Sequence, residues 1–216
     1  MLSRFNAILV TALAVSFGAT SAFAQVGKPQ DPKDPPGVKK LEHVTVVFIG
    51  NTQDPVDGKT ISDGHDKFVE VDDGQRIYVS SDASIQLIKK DTKGMLAKAY
   101  GNAVPVPSKI CPIDGKTLGG AGSPNPGTEV TFQGRKLSIC SPAELPLFKK
   151  SPHLYIAKAL FPDTKDAANP VDPVDGKPVD ATILAIYKGR IFHFSSTQSV
   201  GLFSKDPEAY AAKIKS

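Results

Sequence analysis

A short turn sequence occurs three times along the chain, and this repetition constrains its fold more than any other feature. The motif D/C-P-V/I-D-G-K occupies residues 54–59, 111–116 and 172–177, and only the middle copy begins with a cysteine, Cys111. Proline followed by Asp-Gly is typical of a tight turn, because glycine reaches positive φ without steric cost. A chain with the same turn at three places is expected to fold as three similar units.

Each turn is followed by two short runs of alternating apolar residues that flank a glycine. These glycines are Gly74, Gly134 and Gly189. Alternation on both sides of a glycine turn predicts a β-hairpin. The sequence therefore predicts three hairpins, one after each turn.

A helical pattern follows each predicted hairpin. The predicted N-caps are Ser81, Ser141 and Ser196, since a serine side chain accepts a hydrogen bond from the first turn of a helix. Apolar residues recur seven and fourteen positions after each cap, which places them on one helical face. Pro152 and Pro207 interrupt this pattern, so we expect each helix to divide into two short ones. The second helices are expected to begin near Asp91, Ser151 and Asp206.

Together these patterns predict an α+β fold of three tandem units, each made of a turn, a hairpin and one or two short helices. The predicted units are residues 41–101, 108–161 and 169–216. A unit of about 50 residues barely buries a core of its own, so we expect the three units to pack together. The apolar residues expected to be shared between units are Ile77 with Val79, and Phe192 with Phe194.

With the turns aligned, the unit resembles the YHS domain family, which is also grouped with TRASH domains. The third copy fits the family pattern most fully, in "YKGRIFHFSSTQSVGLFSKDPEAY" at Tyr187–Tyr210. The second copy fits in "FQGRKLSICSPAELPLFKKSPHLY" at Phe132–Tyr155. The resemblance covers nearly all of residues 51–216 and implies three degenerate copies. Members of the family bind a transition metal through cysteines in the first turn and in a C-S-x-x-C stretch.

The resemblance implies metal ligands in the second unit alone. Cys111 and Cys140 stand at two of the family's cysteine positions, and Glu144 stands at the third. The other two units have Asp or Ser at all three positions. A serine hydroxyl is a poor ligand for a soft metal, because it does not ionise near neutral pH as a thiol can. The implied site is a copper or zinc site at Cys111, Cys140 and Glu144.

Other interpretations of these residues stay open. Ser141–Glu144 has the pattern of a capping box, which accounts for Glu144 without a metal. Cys111 and Cys140 are the two cysteines of the chain, and in an oxidising compartment such a pair favours a disulfide. We expect a structural Cys111–Cys140 disulfide, which would close a loop of about 30 residues and stabilise the fold by roughly 3–4 kcal/mol. His153 is a further candidate ligand, but it lies more than two helical turns beyond Glu144.

The N-terminal sequence predicts export. Arg4 precedes an apolar run, and Ala22-Phe23-Ala24 fits a signal-peptidase site, so residues 1–24 are expected to be a signal peptide. Residues 25–40 are rich in proline and charge and are expected to be a disordered spacer, and residues 41–50 are expected to form a strand. We expect a periplasmic or secreted protein with no transmembrane anchor after cleavage.

The charge balance and the motifs present in the sequence exclude several classes of function. Without Arg4, 25 of the 26 basic residues remain against 22 acidic ones, a net charge of +3, and the basic residues are scattered. That balance does not indicate nucleic-acid binding. The motifs of nucleotide-binding proteins, serine hydrolases and zinc proteases are absent from the sequence, so we expect no enzyme and no cofactor. The first hypothesis is an exported, non-catalytic binding or interaction protein with an unknown protein or small-molecule partner. The alternative is a periplasmic copper- or zinc-binding protein.

Overall fold

The computed structural model describes residues 38–41, 43–61, 67–119 and 127–214. The predicted signal peptide, residues 1–24, lies outside this part of the chain, as does most of the predicted spacer. The described residues contain both helices and small sheets, which confirms the predicted α+β class.

Ten strands in the described residues form three sheets. The largest contains, in spatial order, β1 (Val38–Leu41), β2 (Val44–Val47), β9 (Asp180–Tyr187), β10 (Arg190–Phe194) and β8 (Lys165–Asp166). A second sheet pairs β3 (Phe68–Glu70) with β4 (Arg76–Tyr78). The third contains β5 (Val104–Pro105), β7 (Arg135–Ile139) and β6 (Thr128–Phe132) in that order. Each sheet includes one of the three hairpins expected from the sequence.

The hairpin turns have the backbone geometry that their glycines suggest. In the β6–β7 hairpin, Gln133 and Gly134 both have positive φ, of 41° and 72°, and Phe132 pairs with Arg135. Two central residues at positive φ make a type I′ turn, whose twist suits a tight antiparallel hairpin. Lys188-Gly189 repeats this arrangement between β9 and β10, with φ values of 46° and 70°.

The strand expected at residues 41–50 differs from the prediction. Residues 38–40, assigned to the disordered spacer, belong to strand β1, and a turn at His43 separates β1 from β2. Strand β2 pairs with β9 of the third predicted unit, with Thr45 opposite Ile186. Val44 and Val47 lie on opposite faces of β2 and both are buried, so this strand needs cover on both sides, which the larger sheet supplies.

Pairs of short helices follow the hairpins. They are α1 (Asp82–Lys90) with α2 (Thr92–Tyr100), α3 (Leu145–Lys150) with α4 (Pro152–Leu160), and α5 (Thr197–Phe203) with α6 (Pro207–Ala211). The second helix of each pair begins directly after Asp91, Ser151 or Asp206, the positions expected from the sequence. Among the described residues, no helix has the length and apolar character needed to cross a membrane.

A common apolar core joins the second predicted unit to the third. Ile139, Phe148 and Ile156 pack in one cluster with Leu184 and Ile191. Because α4 lies against β9, the two units bury each other's apolar faces. The first unit reaches the third through a polar contact as well, a 2.8 Å salt bridge between Arg76 and Asp180.

Two pairs of apolar residues were expected to pack across units, and only one of the pairs does so. Ile77 and Val79 pack within the first unit, against Ile88, because β3 and β4 form a separate sheet covered by α1. That expectation was wrong. Phe192 and Phe194 do meet an apolar residue from outside the third unit, since they pack with Val44 of β2.

Candidate functional site

A turn at residues 111–116 positions the first part of the candidate site. The Cys111 N–H donates to the carbonyl of Lys116 (2.8 Å), and the Gly115 N–H donates to the carbonyl of Cys111 (3.0 Å). Gly115 has a φ of +76°, which favours glycine at this position. The turn therefore fixes Cys111 and Asp114 three residues apart in a tight loop.

The hairpin and the start of α3 supply the rest of the site. Cys140 directly follows β7, and Glu144 ends a short 3₁₀ turn, Pro142–Glu144, that leads into α3. Their donor atoms, with those of Cys111 and Asp114, all lie within 4.8 Å of one another. The fold thus brings together the three ligands predicted from the sequence and adds Asp114.

The distances within this cluster, which we call the cysteine cluster (Cys111, Asp114, Cys140 and Glu144), suit a small ion. Cys111 Sγ lies 3.4 Å and 3.7 Å from the two carboxylate oxygens of Glu144, and Cys140 Sγ lies 3.4 Å from Asp114 Oδ1. A tetrahedral zinc ion, with bonds of about 2.3 Å to sulfur and about 2.0 Å to oxygen, separates its ligand atoms by roughly 3.3–3.8 Å. The donor set and these three distances fit such an ion.

Glu144 has the contacts expected of both of its proposed roles. Its Oε2 accepts a hydrogen bond from the Ser141 N–H (3.2 Å), as the glutamate of a capping box does. The same carboxylate accepts from the Cys111 thiol. Capping and membership of the cluster are therefore compatible in this fold.

Asp114 was not among the ligands predicted from the sequence. The repeated turn motif has an aspartate at this position in all three copies. The motif alone does not show that Asp114 lies beside Cys140. The Lys116 ammonium, 2.8 Å away, and the Lys116 N–H hold the pKa of Asp114 well below its usual range. Asp114 therefore carries a negative charge at neutral pH beside the Cys140 thiol.

The two cysteines are thiols in the structure. Cys111 is buried, and burial raises its pKa to about 11, although backbone hydrogen bonds to the sulfur, one of them from Cys140, oppose that rise. A metal ion that binds here must displace a proton from Cys111, because the thiolate is the ligand form. The predicted disulfide stays a prediction.

The three histidines of the described residues are not members of the cysteine cluster. His153 is buried in α4, where its ring packs edge-on against Phe132 with centroids 5.2 Å apart. His193 Nε2 lies 2.9 Å from a carboxylate oxygen of Asp166, and His43 is exposed. His65 lies outside the described residues.

The corresponding places in the other two units contain carboxylate–serine clusters. In the first unit, Asp54 Oδ2 accepts from the N–H and the hydroxyl of Ser80, at 2.8 Å and 2.9 Å. Burial raises the pKa of Asp54, but hydrogen bonds from Ser80, Ser84 and Val56 together outweigh burial and leave the pKa lowered. The charged carboxylate therefore takes the place that Cys111 has in the second unit.

The third unit repeats the arrangement of the first. Asp172 accepts from the Ser195 N–H at 2.7 Å, and Asp175 accepts from the Ser195 hydroxyl at 3.1 Å. The predicted caps of the outer units also make their expected bonds: Ser81 accepts from the Ser84 N–H (3.2 Å) and Ser196 from the Ser199 N–H (3.1 Å). We refer to these two places (Asp54, Asp57, Ser80 and Ser84; Asp172, Asp175, Ser195 and Ser199) as the outer clusters.

Comparison with known proteins finds one family match, and it lies in the third unit. No curated protein and no solved structure matches the chain significantly. One protein family does match, the YHS domain, over residues 171–213. That segment contains most of the third turn, the β9–β10 hairpin and both helices that follow it. The chain therefore contains a YHS domain at residues 171–213.

Proposed function

We propose that the protein binds one transition-metal ion, in the second unit, through Cys111, Asp114, Cys140 and Glu144. The observation that carries this proposal is the convergence of four metal-ligating side chains from two segments of the chain within 4.8 Å. Its second support is the YHS domain at residues 171–213, since the resemblance implies transition-metal binding.

The donor set favours zinc. Zinc accepts thiolate and carboxylate ligands together and has no geometric preference of its own, so it suits a mixed site of two sulfurs and two oxygens. Copper is the alternative, and its cuprous form prefers sulfur donors alone. We therefore expect zinc to bind more tightly than cuprous copper when the cluster is intact.

We propose that the outer units are degenerate copies of the same unit and act as scaffold. This is supported by the same β-bridge beside each turn, at Gln53–Thr60, Ile110–Thr117 and Val171–Pro178, and by a hairpin and helix pair after each one. Their serines and aspartates satisfy one another by hydrogen bonds and offer no thiolate.

The wider role proposed for the protein is non-catalytic metal binding or metal handling outside the cytoplasm. Its support is the N-terminal sequence, with the features of a signal peptide at residues 1–24. Its partner is a protein or small molecule that the sequence does not identify.

A structural disulfide is the second candidate for the same two cysteines. Its specific support is that both thiols belong to one cluster whose donor atoms lie within 4.8 Å of one another. Oxidation to a disulfide would remove both thiolate ligands, so the disulfide and the metal site exclude each other.

Thiol titration combined with metal analysis separates the two states. We expect the purified protein, isolated without chelator, to contain one zinc ion per chain and to react as two thiols once the metal is removed. The Cys111→Ser variant should lose the zinc, whereas the control Ser195→Ala, which alters an outer cluster, should retain it. Thiols that become reactive only after reduction, with no bound metal, would establish the disulfide instead.

A further inference from the structure

Lys116 adjoins the cysteine cluster without offering a metal a lone pair, because a protonated ammonium has donors only. Its Nζ lies 2.8 Å from Asp114 Oδ2, and its N–H donates to Asp114 Oδ1 at 3.0 Å. The Lys116 side chain is 75% exposed. A salt bridge at such an exposed place contributes little to the stability of the fold. The contact is therefore more important for what it does to the Asp114 carboxylate.

The two carboxylate oxygens of Asp114 have different surroundings. Oδ2 faces the Lys116 ammonium, whereas Oδ1 lies 3.4 Å from Cys140 Sγ. A carboxylate can bind a metal ion through one oxygen or through both. Because the ammonium of Lys116 occupies Oδ2, Asp114 presents Oδ1 to the rest of the cysteine cluster.

The charge of Lys116 also acts on the cysteine cluster as a whole. With both thiols ionised, the four side chains carry four negative charges, of which a zinc ion cancels two. The hydrogen bond and the charge of Asp114 raise the pKa of Lys116, and the charges of Cys140 and Glu144 add to that rise, whereas desolvation opposes it. Lys116 is therefore a positive group within reach of three of the four cluster residues.

The outer clusters contain the same lysine–aspartate pair. Lys59 Nζ lies 2.9 Å from Asp57 Oδ2, and Lys177 Nζ lies 3.1 Å from Asp175 Oδ2. In both, the lysine N–H donates to the aspartate Oδ1 at 3.0 Å, as in the second unit. Since both cysteines of the chain belong to the second unit, the pair can affect thiolate-bound metal there alone. The outer pairs supply matched controls.

We propose that Lys116 is a positioning residue of the metal site, which holds Asp114 as a ligand through one oxygen and so favours a four-coordinate ion. The inference rests on the proposed metal binding by the cysteine cluster. Structural zinc is four-coordinate, whereas magnesium and manganese ions take six ligands, mainly oxygens. Without Lys116, both oxygens of Asp114 are free to bind. The coordination number then rises, and the preference for zinc falls.

The first test measures zinc affinity in the full-length protein by competition with a chromophoric chelator. Lys116→Gln should lower the affinity roughly ten- to a hundredfold, as the loss of a hydrogen-bonding partner of a metal ligand does. Lys116→Arg keeps the charge and the donors and should restore most of that loss. The controls Lys59→Gln and Lys177→Gln break the same pair in the outer units and should bind zinc as the unaltered protein does.

The second test uses cobalt(II) in place of zinc. Four-coordinate tetrahedral cobalt absorbs visible light much more strongly than five- or six-coordinate cobalt. We expect strong absorption from the unaltered protein and from both controls, and weaker absorption from Lys116→Gln. A purely structural role of the salt bridge would leave this spectrum unchanged. Urea denaturation of the metal-free proteins should show the same small loss of stability in all three lysine-to-glutamine variants.

The outcomes separate this inference from the proposed function. Unchanged zinc affinity in Lys116→Gln, or an equal fall in Lys59→Gln, would overturn the role of Lys116 and leave the metal site standing. A lower affinity with an unchanged cobalt spectrum would assign the effect to charge alone and overturn the positioning role. If the unaltered protein bound no zinc, or if Cys111→Ser did not weaken binding, the proposed function would fail and this inference with it.

Discussion

The cysteine cluster and the outer clusters are built on the same backbone but carry different chemistry. In two of the units, the first residue of a D/C-P-V/I-D-G-K turn lies close to the residue that directly follows the hairpin. These residues are Cys111 and Cys140 in the second unit, and Asp172 and Ser195 in the third. The turn hydrogen bonds agree closely, at 2.8 Å for both Cys111 N–H to Lys116 O and Asp172 N–H to Lys177 O. One backbone geometry thus supports a thiol pair in one unit and a hydrogen-bonded aspartate–serine pair in another.

This difference shows how the turn can be connected to the hairpin without thiols. Asp54 and Asp172 bond to the backbone at the hairpin end, so they connect turn and hairpin as a shared metal would. Hydrogen bonds to a buried carboxylate contribute about 1.5–3 kcal/mol each. The outer units are therefore stabilised by these bonds, whereas the second unit keeps groups that a metal can bridge.

The largest effect is expected when the second unit is given the residues of the others. Cys111→Asp together with Cys140→Ser should lower zinc affinity by more than about a hundredfold, because loss of a mere outer-shell partner already costs up to about a hundredfold. The fold should persist, since the same pair of residues occupies this place in the first and third units. Competition with a chromophoric chelator measures the change. An affinity close to that of the unaltered protein would show that the cysteines are not ligands.

The reverse exchange should create a second site. Asp172→Cys, Ser195→Cys and Ser199→Glu reproduce the cysteine cluster in the third unit, where Asp175 already lies 3.1 Å from the Ser195 hydroxyl. We expect the bound zinc to rise from one ion per chain to two, measured by metal analysis after dialysis. A value that stays at one, in a variant with an unchanged circular dichroism spectrum, would mean that the backbone of the two units is less alike than the turn geometry indicates.

Removal of the carboxylate from an outer cluster should destabilise the fold strongly. Asp172 is 2% exposed and accepts from the N–H groups of Val174 (2.8 Å) and Ser195 (2.7 Å). Asp172→Ala leaves both donors buried without that acceptor, so the free energy of unfolding should fall by about 3–5 kcal/mol in urea denaturation. Asp175→Ala, which removes a more exposed carboxylate from the same turn, should lower the free energy of unfolding much less. Equal losses in the two variants would contradict the role given to Asp172.

A smaller expected effect is a loss of stability of the second unit at acid pH. Burial lowers the pKa of His153 to about 4, against 6.5 for an ordinary histidine. The residues at the matching position in the other units, two places after Asp91 and Asp206, are the exposed Lys93 and Glu208. The unfolded chain therefore takes up a proton at higher pH than the folded chain does. The stability supplied by the neutral ring is complete above pH 6.5 and is lost as the pH falls towards 4, by up to about 3 kcal/mol.

Urea denaturation at several pH values measures that loss. His153→Leu should flatten the profile between pH 6.5 and 4, and His43→Gln, at an exposed histidine, should leave it unchanged. An unaltered slope in His153→Leu would assign the acid sensitivity to other groups.

Local signals in the sequence predicted the parts of the fold that depend on local chemistry. The second helices begin directly after Asp91 and Asp206, because these side chains accept hydrogen bonds at the helix start. Pro152 directly follows Ser151, and proline fits the first helical turn. The hairpin turn at Gly134 follows from the ease with which glycine takes positive φ. Cys111, Cys140 and Glu144 were found through spacing and resemblance, and the structure brings their donor atoms together.

Features that depend on distant contacts were not predicted. Strand β2 pairs with β9, about 140 residues further along the chain, and no local pattern specifies that partner. Asp114 looked like an ordinary turn residue, because its closeness to Cys140 depends on how the turn meets the hairpin. The sequence around His153 gives no sign that this residue is buried. In the structure its ring packs against Phe132, which lies in another element.

X-ray absorption at the zinc edge, on the protein loaded with one equivalent of zinc, tests the central claim most directly. The cysteine cluster predicts two sulfur ligands at about 2.3 Å and two oxygen ligands at about 2.0 Å. Cys111→Asp with Cys140→Ser should remove the sulfur contribution. A zinc environment of oxygen and nitrogen alone in the unaltered protein would contradict the proposal that the second unit retains a metal site which the outer units lack.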